Sequence, residues 1–239
     1  MIALLPGGGY AQYVQAHMRS VFPMPRGLSV EEACTVPVVF LTSWFALMKR
    51  AGLRAGETVL VQSAGSGCGI AGIAIAKWAG ATVITTAGSD DKVQRGIALG
   101  ADHGINYSTH DFAEEVRRIT GGAGVPVVYD SVGKATFDVS IKSLAPRGFF
   151  ISFGTTTGAP PAVEAATLQK MGSLYFTRPT LANYCVARED LVMSSTRVFD
   201  MLKKGVIKAH IGQRYKLADV VRAHADLEAG KTVGSSVLI

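Results

Sequence analysis

The feature that most constrains the fold is a short apolar run that leads through a glycine-rich turn into a helix-like segment. Residues 58–63 are rich in β-branched side chains, residues 64–69 are almost all Gly, Ala or Ser, and residues 71–79 are small or apolar. Because glycine has no Cβ, such a turn can bend sharply and let a pyrophosphate reach the N–H groups that begin the next helix. The pattern predicts the strand–turn–helix unit of a dinucleotide-binding fold.

The turn fits the dinucleotide fingerprint G-x-G-x-x-G in two registers. A literal match uses Gly67, Gly69 and Gly72, but its first glycine comes six residues after the strand ends. Small residues with the same spacing occur at Ala64, Ser66 and Gly69, and this register begins close to the strand end. We prefer the second register, which leaves Gly72 for close packing between the helix and the sheet.

Strand-like and helix-like segments alternate along most of the chain. Strands are predicted at 58–63, 81–86, 103–106, 125–130, 149–153 and 173–177, and helices at 71–79, 91–99, 111–120 and 134–144. Alternation at this spacing is typical of parallel sheets that helices cover on both faces. We therefore predict an α/β fold, with a doubly wound Rossmann domain over residues 36–172.

The two ends of the chain differ from this core. Residues 7–14 predict a short alternating strand, and Ser29 followed by two glutamates predicts the start of a helix. The C-terminal part predicts helices at 189–203 and 217–227 and a last strand at 236–239. Neither end has enough elements for a domain, so we expect 1–35 and 173–239 to be two pieces of a second domain into which the core is inserted.

Composition argues against several classes of function. The net charge is +6, but the lysines and arginines are scattered, which does not favour a nucleic-acid surface. Cys34, Cys68 and Cys185 are isolated and the five histidines have no ligand spacing, so neither a metal site nor a disulfide framework is expected. No apolar run reaches the roughly 18 residues of a membrane span. We expect a cytoplasmic protein without a membrane partner.

The end of the second strand indicates which dinucleotide is preferred. An NAD site places Asp or Glu there to bind the ribose 2′-hydroxyl, whereas this chain has Ala-Gly-Ser at 87–89. The small neutral turn leaves room for a 2′-phosphate, with the Ser89 hydroxyl and the Lys92 ammonium to hold it. Asp90 and Asp91 follow slightly late and are expected in the next helix. The sequence therefore favours NADPH over NADH.

Several longer segments resemble the quinone oxidoreductases of the medium-chain dehydrogenase/reductase superfamily. They lie at 33–44, 51–61, 99–107, 120–122, 128–133, 152–154, 172–181 and 234–238. Together they cover nearly the whole chain, and the Thr-Arg-Pro at 177–179 is similar to the zeta-crystallin-like, zinc-free NADPH quinone reductases. The resemblance implies hydride transfer from NADPH to a quinone, a GroES-like β-rich catalytic domain beside the Rossmann domain, and no catalytic acid–base pair.

The resemblance also implies which residues bind the cofactor. It places Thr42 beside the nicotinamide and phosphates, Gly67 and Cys68 at the pyrophosphate, and Tyr107 at the adenosine. It places Gly88, Ser89 and Lys92 around the 2′-phosphate, and Ser131, Phe153, Gly154, Thr155 and Arg178 at the nicotinamide ribose and the entry for the acceptor. Ala64, Ser66 and Gly69 join this set from the fingerprint spacing. In chain order they are Thr42, Ala64, Ser66, Gly67, Cys68, Gly69, Gly88, Ser89, Lys92, Tyr107, Ser131, Phe153, Gly154, Thr155 and Arg178.

Simpler interpretations remain open for three of these residues. Tyr107 could close a βα turn, Phe153 could belong to the core, and Thr42 could bond to its own helix backbone. The chain also departs from the family pattern at Ser66, where a glycine is usual, and at Cys68, where valine is usual. We expect the turn to tolerate both.

Two further expectations follow from the resemblance, and alternative functions remain open. Subunits of the family pair through edge strands, and the apolar run 173–177 predicts a homodimer. The chain corresponds to a family member without about its first quarter, so we expect an open nicotinamide end, ordinary NADPH affinity and weak quinone reduction. The alternatives are an enoyl or alkenal reductase of the same superfamily, or an NADPH-binding sensor or interaction protein that turns over poorly.

Overall fold

The computed structural model describes all 239 residues and contains ten strands. They are β1 (Ile2–Ala3), β2 (Val21–Phe22), β3 (Thr58–Val61), β4 (Thr82–Ala87), β5 (His103–Asn106), β6 (Val125–Asp130), β7 (Leu144–Ser152), β8 (Tyr175–Thr177), β9 (Ile211–Tyr215) and β10 (Ser235–Leu238). Six form a central sheet in the order β5-β4-β3-β6-β7-β8, with every neighbouring pair parallel. The order reverses between β3 and β6, so a crevice opens at the carboxyl ends of these two strands. The predicted doubly wound sheet is confirmed.

The structure contains nine α-helices. They are α1 (Val30–Ser43), α2 (Gly67–Trp78), α3 (Asp90–Ala98), α4 (Phe112–Ile119), α5 (Phe137–Lys142), α6 (Ala165–Lys170), α7 (Leu181–Tyr184), α8 (Arg188–Lys203) and α9 (Val220–Glu228). Side chains of β3 alternate between the two faces of the sheet. Val59 and Val61 join a core with α1, α2 and α8, whereas Leu60 joins a second core with α4 and α5. The sheet is therefore buried on both faces.

The first long helix begins as predicted and then extends further than expected. Ser29 and Glu32 form a reciprocal capping box at its start. α1 continues as a π-helix, Trp44–Ala51, and the combined segment is long and apolar enough to cross a membrane by length and composition. This corrects our expectation that no segment reaches that length. Most of its apolar window is buried inside the protein, and core helices of soluble proteins pass the same test.

Several boundaries differ from the sequence prediction. Residues 7–14 form no strand; this prediction was wrong because the backbone N–H and C=O groups of this segment pair with no neighbouring strand. The helix predicted at 134–144 is only α5, and β7 begins five residues earlier than predicted. A 3₁₀ turn, Leu217–Asp219, precedes α9, and β9 was not predicted. The division into 1–35, 36–172 and 173–239 stays a prediction.

Candidate functional site

A tight turn joins β3 to α2 at the crevice of the sheet. Ser63 has a φ of 63°, and Ser66 caps the helix by accepting a hydrogen bond from Gly69 N at 2.9 Å. The Ser66 hydroxyl donates to Ser63 O at 3.0 Å. A Cβ at Gly69 would overlap that same Ser63 carbonyl, so only glycine fits there. The first N–H groups of α2, which have no acceptor inside the helix, are thereby held at the crevice.

Close packing fixes the helix against the sheet behind this turn. A Cβ at Gly72 would come within 2.9 Å of Tyr129 Cε1. Tyr129 is fully buried, and its hydroxyl lies 2.9 Å from Ser43 Oγ on α1. Burial raises the pKa of this phenol well above its usual value, so it stays protonated. The start of α2 thus has a rigid support.

A cleft of about 270 Å³ lies directly on the turn and extends to the end of β4. Its walls include six residues that the sequence assigned to the cofactor, of which Gly67 begins α2 and the other five lie around it. These five are Ala64, Ser66, Gly88, Lys92 and Tyr107. Lys92 is the one charged residue in the lining, and no carboxylate faces the cleft. Asp90 instead accepts a hydrogen bond from Asn106 Nδ2 at 2.8 Å. The cleft is therefore suited to an anion.

Tyr107 forms the outer wall of this cleft. Its hydroxyl lies so close to Gly88 that a Cβ there would come within 2.8 Å of it. The next residue, Ser108, donates from Oγ to Gly88 O at 3.0 Å and ties the two loops together. Tyr107 is 47% exposed, so it is not a core residue and its ring remains accessible.

A second cleft of about 400 Å³ continues from the first along the start of α2. The two clefts share Ser66, Gly67 and Gly234. The second also contains Cys68 and Ser131 from the predicted set, and residues of α1 such as Val38. Burial raises the pKa of the Cys68 thiol to about 11, even though a helix N-terminus lowers thiol pKa values. Cys68 is therefore a neutral wall residue at physiological pH.

The C-terminal tail supplies the opposite wall, which the sequence analysis did not assign to the site. Gly234 N donates to Gly65 O at 2.9 Å, and Ser66 and Gly234 form a parallel bridge. Ser235 N donates to His210 O at 2.9 Å, which anchors the tail to the residue just before β9. The only signal in the sequence was a second small-residue cluster, Gly-Lys-Thr-Val-Gly-Ser-Ser, at 230–236. Its pairing with the turn is a long-range contact that local patterns do not encode.

The remaining predicted site residues lie outside the linings of both clefts. They are Thr42, Gly69, Ser89, Phe153, Gly154, Thr155 and Arg178. Ser89 is the N-cap residue of α3, and Thr42 is half-buried in α1. Arg178 donates from Nη1 to Gly154 O at 2.8 Å, which places both beyond the end of β7. Their contact with a cofactor stays a prediction.

The arrangement fits a dinucleotide better than a metal ion. The two clefts meet at Ser66, Gly67 and Gly234 and together form a groove along the carboxyl ends of β4, β3 and β6, with a lysine at one end and the start of α2 in the middle. By contrast, no group of three or more His, Cys, Asp or Glu side chains converges to hold a metal.

Comparison with known proteins relates this chain to dehydrogenases and reductases. A family model described as zinc-binding dehydrogenase matches residues 67–200. The quinone oxidoreductase of Pseudomonas aeruginosa is 37% identical over 234 residues, which are 98% of this chain and 72% of that protein. The 2-haloacrylate reductase of a Burkholderia species is 35% identical over 239 residues, which are 99% of this chain and 72% of that protein. The crystal structure of Escherichia coli quinone oxidoreductase complexed with NADPH has a TM-score of 0.93 and 38% identity, covering 96% of this chain and 71% of its own.

Proposed function

The chain belongs to the quinone oxidoreductases of the medium-chain dehydrogenase/reductase superfamily, and from this membership we propose that it transfers hydride from NADPH to a quinone. The observation that carries the proposal is the groove formed by the two adjoining clefts over the reversal point of the sheet, with Lys92 at the adenosine end. A cationic side chain without a competing carboxylate suits a 2′-phosphate.

The residues of the groove fit NADPH in three places. Lys92 and Gly88 would hold the 2′-phosphate, Tyr107 would cover the adenosine, and the N–H groups of Gly67 and Cys68 would meet the pyrophosphate. When bound, this cofactor supplies a hydride from C4 of its dihydronicotinamide ring. The protein contributes alignment and exclusion of water rather than acid–base chemistry, so no catalytic side chain is proposed.

We propose a quinone as the acceptor and keep one alternative. The 2-haloacrylate reductase among the relatives is named for reduction of a conjugated substrate, which favours an enoyl or alkenal reductase as the second candidate. The second cleft, where α1 contributes Val38 and Val39, offers an apolar wall that either acceptor could use. We expect neither reaction to need a metal.

We further propose that the protein is a cytoplasmic homodimer. β8 is the outermost strand of the sheet, and Tyr175 on it is 50% exposed while it stacks on Phe149. An exposed apolar edge of this kind favours pairing with a second copy. The cysteines are all free thiols, in keeping with a reducing compartment. Light scattering at micromolar concentration tests the dimer, and a monomer would contradict it.

The proposed activity is tested by incubating the purified chain with NADPH and either a 1,4-quinone or an enone. We expect loss of nicotinamide absorbance with the quinone at a higher rate than with the enone. A faster reaction with the enone favours the reductase alternative. Binding of NADPH without turnover of either acceptor favours a sensor or interaction protein.

A further inference from the structure

A chain of five buried polar side chains runs beneath the cofactor groove, across three neighbouring strands. None of the five is more than 4% exposed. They are Thr86 on β4, Gln62 directly after β3, Ser140 on α5, Thr136 at the start of α5, and Asp130 at the end of β6. Thr86 precedes Ala87 and Gly88, which line the first cleft, and Asp130 precedes Ser131, which lines the second. The chain therefore connects the two ends of the groove.

Asp130 is a buried carboxylate that is satisfied without a cation. Its Oδ1 accepts from Val132 N at 2.7 Å and from Gly133 N at 3.0 Å. Its Oδ2 accepts from Thr136 Oγ1 at 2.6 Å and from Ser140 Oγ at 3.1 Å. Four donors are what a buried charge needs when no ion pair is present. The two backbone bonds also fix the conformation of the loop 131–133.

The charge of Asp130 sets the direction of every other bond in the chain. Because a carboxylate only accepts, Ser140 must donate to it, and the Ser140 oxygen accepts from Gln62 Nε2 at 3.0 Å. The Gln62 amide therefore presents Oε1 to the other side, where the Thr86 hydroxyl donates to it. The three bonds from Thr86 through Gln62 and Ser140 to Asp130 therefore point the same way, an arrangement in which neighbouring hydrogen bonds strengthen one another, while Thr136 donates to Asp130 separately.

We propose that Asp130 and Gln62 are positioning residues that couple the nicotinamide end of the groove to the 2′-phosphate end. This inference rests on the proposed function. Thr86 lies on β4 and the loop 131–133 follows β6, yet the Thr86 hydroxyl and the loop each take part in a bond whose orientation depends on the same carboxylate. A change at one end therefore alters how the other end meets the cofactor, and the effect must be reciprocal.

The protein offers two matched controls for this proposal. Thr85 is as buried as Thr86 and adjacent to it, but its hydroxyl donates to Val61 O at 2.9 Å and has no bond to Gln62. Ser143 is as buried as Ser140 and follows it closely, but its hydroxyl donates to Val139 O at 2.8 Å. Thr85→Val and Ser143→Ala thus remove equally buried hydroxyls that lie outside the hydrogen-bonded chain of side chains.

The test uses Thr86→Val, Ser140→Ala and Asp130→Asn with the two controls. The emission of bound NADPH reports on the nicotinamide end, and the affinity for 2′,5′-ADP, which lacks a nicotinamide, reports on the other end. We expect Thr86→Val to shift the nicotinamide emission, although it lies at the far end. We expect Ser140→Ala and Asp130→Asn to weaken 2′,5′-ADP by at least about fivefold. The controls should change neither reading.

Thermal unfolding of each variant beside its control, Thr86→Val with Thr85→Val and Ser140→Ala with Ser143→Ala, separates an effect on positioning from an effect on stability. If Asp130→Asn does not fold, Ser140→Ala and Thr86→Val decide the question. If the variants in the hydrogen-bonded chain and the control variants affect both readings equally, the coupling is overturned. Quinone reduction by the wild-type protein would then still support the proposed function. Wild-type protein that binds no NADPH would instead contradict the proposed function and the inference together.

Discussion

The rings of Tyr129 and Phe153 are stacked, with their centroids 4.0 Å apart and their planes at 26°. Tyr129 lies on β6 and Phe153 directly follows β7, so the stack joins the ends of two neighbouring strands. Phe153 is one of the residues that we expect at the nicotinamide end. Its ring is only partly buried, and the fully buried Tyr129 ring supports it from below.

This relationship predicts different outcomes for two substitutions of Tyr129. Tyr129→Phe keeps the stack and loses one hydrogen bond to Ser43, so we expect near-normal kcat and a loss of about 1 kcal/mol in unfolding free energy. Tyr129→Leu removes the ring and should lower kcat several-fold beyond its effect on stability. Steady-state kinetics and denaturant unfolding measure both. Equal kcat for the two variants would contradict a supporting role for the ring.

Lys92 should determine the choice of cofactor. Lys92→Ala removes the only charge in the first cleft, so NADPH binding should weaken by about 1–3 kcal/mol while NADH binding barely changes. Arg95→Ala, in the same helix but lining a separate pocket, is the control. Calorimetric titration of both dinucleotides measures the effect. Equal losses for NADPH and NADH would refute the assignment of the 2′-phosphate to Lys92.

Two glycines of the turn should respond very differently to alanine. A Cβ at Gly69 would overlap the Ser63 carbonyl, which is backbone and cannot rotate away, so Gly69→Ala should destabilise the protein by about 1–3 kcal/mol or more. A Cβ at Gly65 would meet nothing within 4 Å, so Gly65→Ala should be tolerated. Urea unfolding compares the two. A Gly69→Ala protein as stable as the wild type would show that the turn can move.

An ion pair beside the sheet predicts part of the acid sensitivity. Lys77 Nζ lies 2.8 Å from both carboxylate oxygens of Asp102, and Val83 N donates to the same group at 2.7 Å. Burial raises the pKa of Asp102, but these hydrogen bonds outweigh it and the net pKa is lowered from 3.8. A carboxyl group whose pKa is lowered in the folded state stabilises the protein above its unfolded pKa. This contribution is lost as the pH falls through the folded pKa.

Because both side chains are 36% exposed, this contribution should be below about 1 kcal/mol. Asp102→Asn should therefore reduce stability at neutral pH and flatten the slope of stability between roughly pH 5 and 2. Urea midpoints across that range measure it. An unchanged slope would show that the pair contributes nothing.

The sequence predicts the parts of the site that depend on local chemistry. The turn around Ser66 is predictable because glycine spacing and strand ends are local, and the neutral turn at Gly88 is read directly from the absence of an acid. The wall formed by Gly234 is not predictable, since its pairing with Gly65 joins residues far apart in the chain. The same applies to Gln62, whose bonds to Thr86 and Ser140 form only when β3, β4 and α5 lie together.

The most direct test of the account is transfer of hydride from NADPH to a quinone by this chain. Purified protein is mixed with NADPH and a 1,4-quinone under anaerobic conditions, and NADPH loss and hydroquinone formation are followed together, with Lys92→Ala in parallel. The account predicts one hydroquinone for each NADPH consumed, and a higher KM for NADPH in the variant. Protein that binds NADPH and yields no hydroquinone would contradict it.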